Sequence, residues 1–379
     1  MKTNLKKLLY SGVTLMSLGV LAACSTASSS TTTSSSVTTS QSATGSNNST
    51  ASNSSSSSID WSALPTTEVT LSNDGLKITE GGTYILTGST TAGVTVETDA
   101  NVRIVLAGAD ISSSDNAAIN VIKADNVELE IKDGTSNTVK DTSNHSDTNI
   151  EGAIHVEADL TITGNGNLTV EGNFQDGIVS TDDLVINASS IKVTAVDDGI
   201  RGKDSLTING GTIDVTAGGD GIKSTNDTDT TKGYTTITGG DITVKAGDDG
   251  IKAETALTID GGTITVPESL EALEGTNITI NGGTLDVYGS DDAINAASTT
   301  STDIFIKVTG GDLKVAVGSG DTDAFDANGD IYISGGTIDV TAPTSAFDFD
   351  GTAELTGGTV RVNGEQISQI VATGPGARW

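Results

Sequence analysis

Cysteine occurs once in the 379 residues, so no disulfide can form within the chain. Histidine occurs twice. His145 sits in a polar insertion with Asp141 and Asp147, and His155 follows Ile154 on a strand; both read as surface decoration rather than as a metal pair. Serine, threonine and aspartate abound, but none has the partnered His or Cys that a nucleophilic triad needs. Aromatic residues make up 3% of the chain, too few for a Trp/Tyr platform for neutral sugars. Tyr288, Tyr332, Phe325, Phe347 and Phe349 lie towards the C-terminus and read as packing residues. Positive charge is also scarce: 19 Lys and Arg stand against 50 Asp and Glu, a formal charge of −31. Without a basic footprint, nucleic acid is excluded as a direct ligand. An anionic polymer would be repelled unless a cation lay between the two surfaces. Beyond the N-terminus there is no 3.6-residue apolar period and no second candidate membrane segment.

What is present is a repeat. Asp176-Gly177-Ile178 recurs as Asp198-Gly199-Ile200, Asp220-Gly221-Ile222 and Asp249-Gly250-Ile251. It changes to Glu271-Ala272-Leu273, Asp292-Ala293-Ile294 and Asp323-Ala324-Phe325. The apolar residues are spaced 22, 22, 29, 22, 21 and 31 apart, so one unit is stacked many times and extra residues are expelled as loops. Within a unit, short alternations such as Leu206-Thr207-Ile208 and Ile213-Asp214-Val215 are separated by Asn209-Gly210-Gly211 and Gly218-Gly219-Asp220-Gly221. Period-2 apolar patterning reads as strand, and Asn-Gly and Gly-Gly supply the positive φ of tight corners. Units that present their faces in the same order predict an all-β fold, a right-handed parallel β-helix of about 22 residues per coil. Each coil would rise by one strand spacing, roughly 4.8 Å. An antiparallel sandwich of short strands is the alternative. Inward ladders are expected along Ile208, Ile237, Ile259, Ile280, Ile306 and Ile333, and along Val215, Val244, Val266, Val287, Val315 and Val340.

The first 23 residues read as a lipoprotein signal peptide. Lys2, Lys6 and Lys7 precede an apolar stretch from Leu8 to Ala23, and Leu21-Ala22-Ala23 leads into Cys24, whose thiol would accept the lipid. Residues 25–58 are almost wholly Ser, Thr, Ala, Asn and Gly, so 24–58 reads as lipidated Cys24 followed by a disordered tether. Its random-coil span is on the order of 30 Å. The β-helix is expected over 59–365, and 366–379 form a C-terminal cap or tail, with Ile367, Ile370 and Val371 as candidates to cover the last edge. The expected location is extracytoplasmic, with a monomeric body anchored to a bacterial cell membrane through its N-terminal lipid only. Removing the three signal lysines takes the charge from −31 to −34.

Stacking turns the acid of each unit into a column: Asp176, Asp197, Asp198, Asp220, Asp248, Asp249, Asp291 and Asp292, with Glu271 and Asp323 in the same places. Neighbours one layer apart repel by about 1 kcal/mol per pair in water, and by several times more near a protein surface. Hard oxygen ligands in a turn suit Ca²⁺ better than Zn²⁺. Asp-Gly is also ordinary turn chemistry, but the doublets 197–198, 248–249 and 291–292 exceed what a turn requires. Arg201, Lys223 and Lys252 follow the motif directly. They would neutralise the column, or serve as the base of a lyase in which Ca²⁺ acidifies the proton beside a uronate carboxylate.

The segment from Ile78 to Gly88, containing Glu80-Gly81-Gly82-Thr83-Tyr84, resembles the opening motif of a bacterial β-helix family. So do Ile104 to Ile111, Ala117-Ala118-Ile119, Asp133 to Thr138, and Glu151-Gly152-Ala153-Ile154 with the Asp-Asp-Gly-Ile units. This is the carbohydrate-binding-domain-containing family typified by a clostridial cellulose- and polygalacturonate-binding protein, and the likeness covers about residues 65–365. The resemblance implies a right-handed parallel β-helix with surface calcium, shaped like calcium-dependent pectate lyases but binding polysaccharide rather than cleaving it. Leu270-Glu271, Thr322-Asp323 and Ser345-Ala346 depart from the family's Asp-Asp pattern, so the cation column is expected to end before the last coils. Three functions stay open: calcium-dependent capture of acidic or plant-cell-wall polysaccharide, a pectate-lyase-like enzyme, and a structural adhesin or spacer with a protein partner.

Overall fold

The computed structural model describes residues 59–373, save Ala188 and Asp321. The expected signal peptide, Cys24 and the tether lie outside the described residues, as does the end of the tail from 374 to 379. Among the described residues the only helical element is one turn of 3-10 helix, Trp61–Ala63, and 34 strands join into one sheet.

The ladders are parallel, and their register is the sequence repeat itself. Ile178 pairs with Ile200, Ile200 with Ile222, Ile222 with Ile251, and Ile251 with Leu273. Leu273 pairs in turn with Ile294, and Ile294 with Phe325. Every step in that ladder equals a step in the sequence spacing. The other two strands of a unit do the same. Ser205–Ile208 lies between Asp183–Ile186 and Tyr234–Ile237, and Thr212–Ala217 between Ser190–Ala195 and Asp241–Lys245.

Alternation decides which side chains fill the interior. In Thr212–Ala217 the side chains of Ile213 and Val215 are buried while Thr212, Asp214 and Thr216 are exposed. The expected valine ladder is buried from Val215 to Val340. The isoleucine ladder needs one correction. Ile280 pairs with Val308, which pairs with Ile333, whereas Ile306 pairs with Ile278 and belongs to the neighbouring ladder. Phe305–Val308 carries two inward apolar residues two apart, and the preceding insertion hides which of them continues the column. Near the C-terminal end the ladder swaps isoleucine for aromatics, and Phe325 and Phe347 stack with ring centroids 5.2 Å apart.

Two kinds of glycine hold the corners. The second glycine of Gly261-Gly262-Thr263 has φ +95°, in the left-handed region that side chains disfavour. The glycine of Asp-Gly-Ile is needed for space instead: a Cβ on Gly199 would lie 2.3 Å from a Val215 methyl and 2.4 Å from the Gly221 carbonyl oxygen. The sheet closes with one reversal. Thr359–Val362 turns through Asn363 and Gly364, both at positive φ, and pairs antiparallel with Glu365–Gln366. Ile370 is buried beyond it, Ile367 packs on the core, and Val371 stays exposed.

Candidate ligand site: an acidic corner and the groove beside it

The corner acids divide into two populations. Asp176, Asp198, Asp220 and Asp249 are buried, while Asp197, Asp248 and Asp291 are exposed. The first three of these stitch their layer to the next: Asp176 Oδ1 accepts the Asp198 N–H at 3.1 Å, Asp198 Oδ1 that of Asp220 at 2.9 Å, and Asp220 Oδ1 that of Asp249 at 2.9 Å. Asp292 Oδ1 accepts the Asp323 N–H at 2.7 Å in the same way. These carboxylates satisfy backbone donors that the corner would otherwise bury unpaired.

Their second oxygens meet the cations that follow the motif. Arg201 reaches Asp176 Oδ2 at 2.9 Å and also pairs with Glu151. Lys223 Nζ lies 2.5 Å from Asp198 Oδ2 and 2.9 Å from Asp220 Oδ2. Lys252 Nζ lies 2.7 Å from Asp249 Oδ2 and pairs with Glu274. Burial pulls the Lys223 ammonium down, but Asp220 and Asp198 outweigh it and hold its pKa above the ordinary range. Lys252 is held up likewise by Asp249 and Glu274. A lysine so clamped keeps its proton at neutral pH and has no lone pair with which to act as a base. In this half of the corner the acids and cations neutralise one another.

The balance changes after Lys252. In register, the position runs Arg201, Lys223, Lys252, Glu274, Asn295, Asp326, Asp348. Acids replace cations from Glu274 onward. One carboxylate oxygen from each of Asp249, Glu271 and Glu274 lies within 4.8 Å of the other two, with Lys252 the one ammonium paired to two of them. Asp220, Asp248 and Asp249 converge equally closely. The buried Oε2 of Glu271 and Oδ1 of Asn295 have no hydrogen-bond partner. Burial, helped by Asp249 and Asp292 and opposed by an Asn295 hydrogen bond, raises the Glu271 pKa to about 7. Asp326 is raised to about 7 by burial, then by Asp292 and Asp323. Asp249 is pushed up by burial and by Glu274. Crowded oxygens of this kind hold protons or a hard cation, and their donor set fits Ca²⁺.

Of the eight aspartates expected as metal ligands, the structure brings three together: Asp220, Asp248 and Asp249. Asp176 and Asp198 are committed to backbone and cation partners, and Asp292 accepts the Asp323 N–H. Asp197 and Asp291 stand exposed and enter no ligand cluster among the described residues. Glu271, Glu274, Asn295 and Asp326 were not among the expected ligands. Their signal was in the sequence, as the sign change in the residue one or two places from each apolar anchor. The cation column was expected to fade before the last coils. In the register that carries Arg201, Lys223 and Lys252, the later layers hold Glu274, Asn295, Asp326 and Asp348 instead.

Beside this cluster the surface is grooved. Ile251–Ile259 is one continuous strand that pairs with both Ile222–Ser224 and Tyr234–Ile237, which residues 225–233 separate. Leu273–Ile280 pairs with both Ile294–Ala296 and Phe305–Val308, which residues 297–304 separate. The steps of 29 and 31 residues thus expel most of their extra residues at the same corner, on either side of two strands that each continue through it; the rest of the 31-residue step lies between Val317 and Asp323. One hollow, of about 260 Å³, is lined by Lys252, Glu274, Thr276 and Ser298. A second, of about 350 Å³, is lined by Tyr234, Ala256, Asn277 and Thr230, and both share Glu254, Thr276 and Thr300.

Neither histidine is surface decoration. His145 is enclosed, with Nε2 2.9 Å from Asp141 Oδ2, Nδ1 against the Ile150 carbonyl, and its ring stacked on Phe174 at 4.3 Å. His155 is buried, its Nδ1 accepts the Glu151 N–H, and burial lowers its pKa to about 4. Both pin the insertion at 141–150 to the body; neither joins the acidic cluster.

Stacked parallel strands with a groove and a clustered oxygen site beside it define an all-β repeat protein. The chain belongs to the carbohydrate-binding domain-containing protein family, whose model matches residues 72–324. A relative described by the same words, from Acetivibrio thermocellus, is 36% identical over 135 residues, 34% of this chain and 47% of its own length. The chain thus spans about half the length of that relative. Among solved structures, the polysaccharide lyase-like protein from C. thermocellum, in a gadolinium derivative, is similar with a TM-score of 0.52 and 32% identity. The match covers 58% of this chain and 95% of that one.

Proposed function

We propose that this protein is a calcium-dependent polysaccharide-binding lipoprotein, wound as a right-handed parallel β-helix and directed at acidic, polyuronate-like or plant-cell-wall glycans. The observation that carries the calcium reading is the cluster of Asp249, Glu271 and Glu274, three carboxylates within 4.8 Å of one another with one lysine, which pairs with Asp249 and Glu274. Together with Asn295 Oδ1 and Glu271 Oε2, which lack partners, they form an oxygen set that suits a hard divalent ion. The ion would supply local positive charge on a strongly acidic surface, and a uronate carboxylate could then approach. Family membership supports carbohydrate as the ligand. The salt-bridged state of Arg201, Lys223 and Lys252 supports binding over cleavage. The lipid anchor at Cys24 would hold the body outside the membrane, where polymeric glycans are met.

Retention on immobilised polygalacturonate tests the reading, with calcium and then with chelator. Retention in calcium that chelator abolishes is expected. Equal retention in both buffers would remove calcium from the function, and no retention in either would remove the polyuronate.

A further inference from the structure

We propose that the glycan chain lies in the groove over Ile251–Ile259 and Leu273–Ile280, running along the strands and therefore across the stacking direction, between the two inserted loops. This rests on the reading above and gives it a place, an orientation and a polarity.

The width follows from the pairing. From the strand before the first loop to the strand before the second there are three strand spacings, about 14 Å. Less the thickness of the loops, that admits one extended polymer and excludes a folded protein. The length follows from the floor, which runs from Lys252 to Ala256 through the register shift between Ala253 and Ala256, at most about 13 Å at the strand rise. That is room for a short run of pyranose rings, over two adjoining open hollows of about 260 and 350 Å³.

The floor is low because the layers on either side carry loops that it lacks. Ala253, Gly275 and Ala256 lie where neighbouring layers carry a loop. The walls are set before any ligand arrives. Asn226 Nδ2 donates to Asp204 Oδ1 at 2.6 Å, and Asn226 Oδ1 accepts the N–H groups of Thr228 and Asp229. Thr255 Oγ1 donates to the Lys232 carbonyl at 2.6 Å, tying the first loop to the floor. Ser298 Oγ accepts the N–H groups of Thr300 and Ser301, folding the second loop on itself. A preformed site avoids the entropy of ordering its walls on binding.

The chemistry differs between the two ends. Tyr234, 38% exposed, stands at one end with Thr230, Thr231 and Ser301, an aromatic face beside hydroxyls that suits a sugar ring. Lys252 and Glu274 stand at the other, and Glu274 belongs also to the three-carboxylate cluster. A uronate chain would therefore put a ring at Tyr234 and a carboxylate at the cation-binding end. Calcium would be felt at one end of the groove and stacking at the other.

The test is retention of the full chain, in mild detergent, on immobilised polygalacturonate and on a neutral glucan, in calcium and in chelator. Thr230→Trp puts bulk into the groove from an exposed wall, Tyr234→Ala removes the ring platform, and Thr194→Trp adds the same bulk on an exposed strand position elsewhere. Wild-type thermal unfolding in all three variants confirms that the body is intact. The expected result is polygalacturonate retention in calcium, weakened roughly five- to tenfold by Tyr234→Ala and at least as much by Thr230→Trp, with Thr194→Trp unchanged. Retention that all three variants leave equal to wild type would overturn the groove while sparing the calcium reading. Groove-dependent retention of the neutral glucan in chelator would keep the groove and overturn the calcium reading. Retention of neither polymer by the wild type would overturn both.

Discussion

Raising the pH should weaken this protein between pH 6.5 and 8.5, and calcium should restore what is lost. Asp176, Glu271 and Asp326 have folded-state pKa values raised to about 7 from ordinary values of 3.8, 4.5 and 3.8, in each case chiefly by burial. An acid with a raised folded pKa adds stability that is complete below its unfolded pKa and is lost as pH rises through the folded one. His155 acts with the opposite sign, since burial lowers it to about 4; most of its contribution accrues between about 4 and 6.5, and only about 0.4 kcal/mol remains to offset the loss above pH 6.5. From pH 6.5 to 8.5 an acid titrating near 7 forfeits about 0.8 kcal/mol by linkage. Allowing for water at the half-buried Glu271 and Asp326, and adding Asp249, the total is about 2 kcal/mol. For a body of about 300 residues, each adding ~2.1 cal/mol/K of unfolding entropy, this is a fall in Tm of about 3 °C. Calcium replaces the protons, so its stabilisation, about 2.7 kcal/mol at a hundredfold excess over Kd, should be larger at pH 8.5 than at 6.5. Glu271→Gln should flatten the pH slope and shrink the calcium increment together. Calorimetry at the two pH values, in chelator and in calcium, reads all of this. A Tm in chelator that is level or higher at pH 8.5, or a calcium increment equal at both, would refute the assignment of Asp249, Glu271 and Asp326 as an acid-rich cluster short of cations.

Asp198→Ala should destabilise by about 3 kcal/mol, because it strands the buried Asp220 N–H and takes one of two carboxylates from Lys223; exposed Asp197→Ala should stay within about 0.5 kcal/mol, and denaturant unfolding compares the two. Terbium should bind the wild type with sensitised luminescence that Glu271→Gln weakens and Asp197→Asn does not. Cells expressing Cys24→Ala should release the protein into the soluble extracytoplasmic fraction, whereas wild type should sediment with membranes; equal solubility would end the lipoprotein reading.

The repeat was legible because period and register are the same quantity in a parallel stack. The steps from Ile178 to Phe325 are both sequence distances and hydrogen-bonded pairs. What one acid does within the repeat was less legible. Asp198 and Asp197 are adjacent and chemically identical, yet one accepts a backbone N–H from the next layer and the other faces water, a difference set by which side of the corner each side chain leaves. Among the metal candidates, Asp176, Asp198, Asp220 and Asp249 each have a cation partner in Arg201, Lys223 or Lys252, which the sequence offered only as a spacing. The groove was visible only as two enlarged steps. That both insertions leave from the same corner, two strands apart, requires the pairing of Ile251–Ile259 and Leu273–Ile280 with split partners on either side. His145 misled for a related reason: its insertion is polar in composition but folds back to bury an imidazole against Phe174.

The antiparallel pair formed by Thr359–Val362 and Glu365–Gln366 has a consequence for solubility. A stack of parallel strands ends in a row of unpaired backbone groups of the same polarity as the first row, so one molecule's end is a template for another's beginning. Head-to-tail addition of that kind does not close and makes fibres. The reversal at Asn363 and Gly364 lays a strand of the wrong direction over part of that row, and Ile370 folds in after it. Such a terminator lets the core be as repetitive as a fibril's without propagating as one.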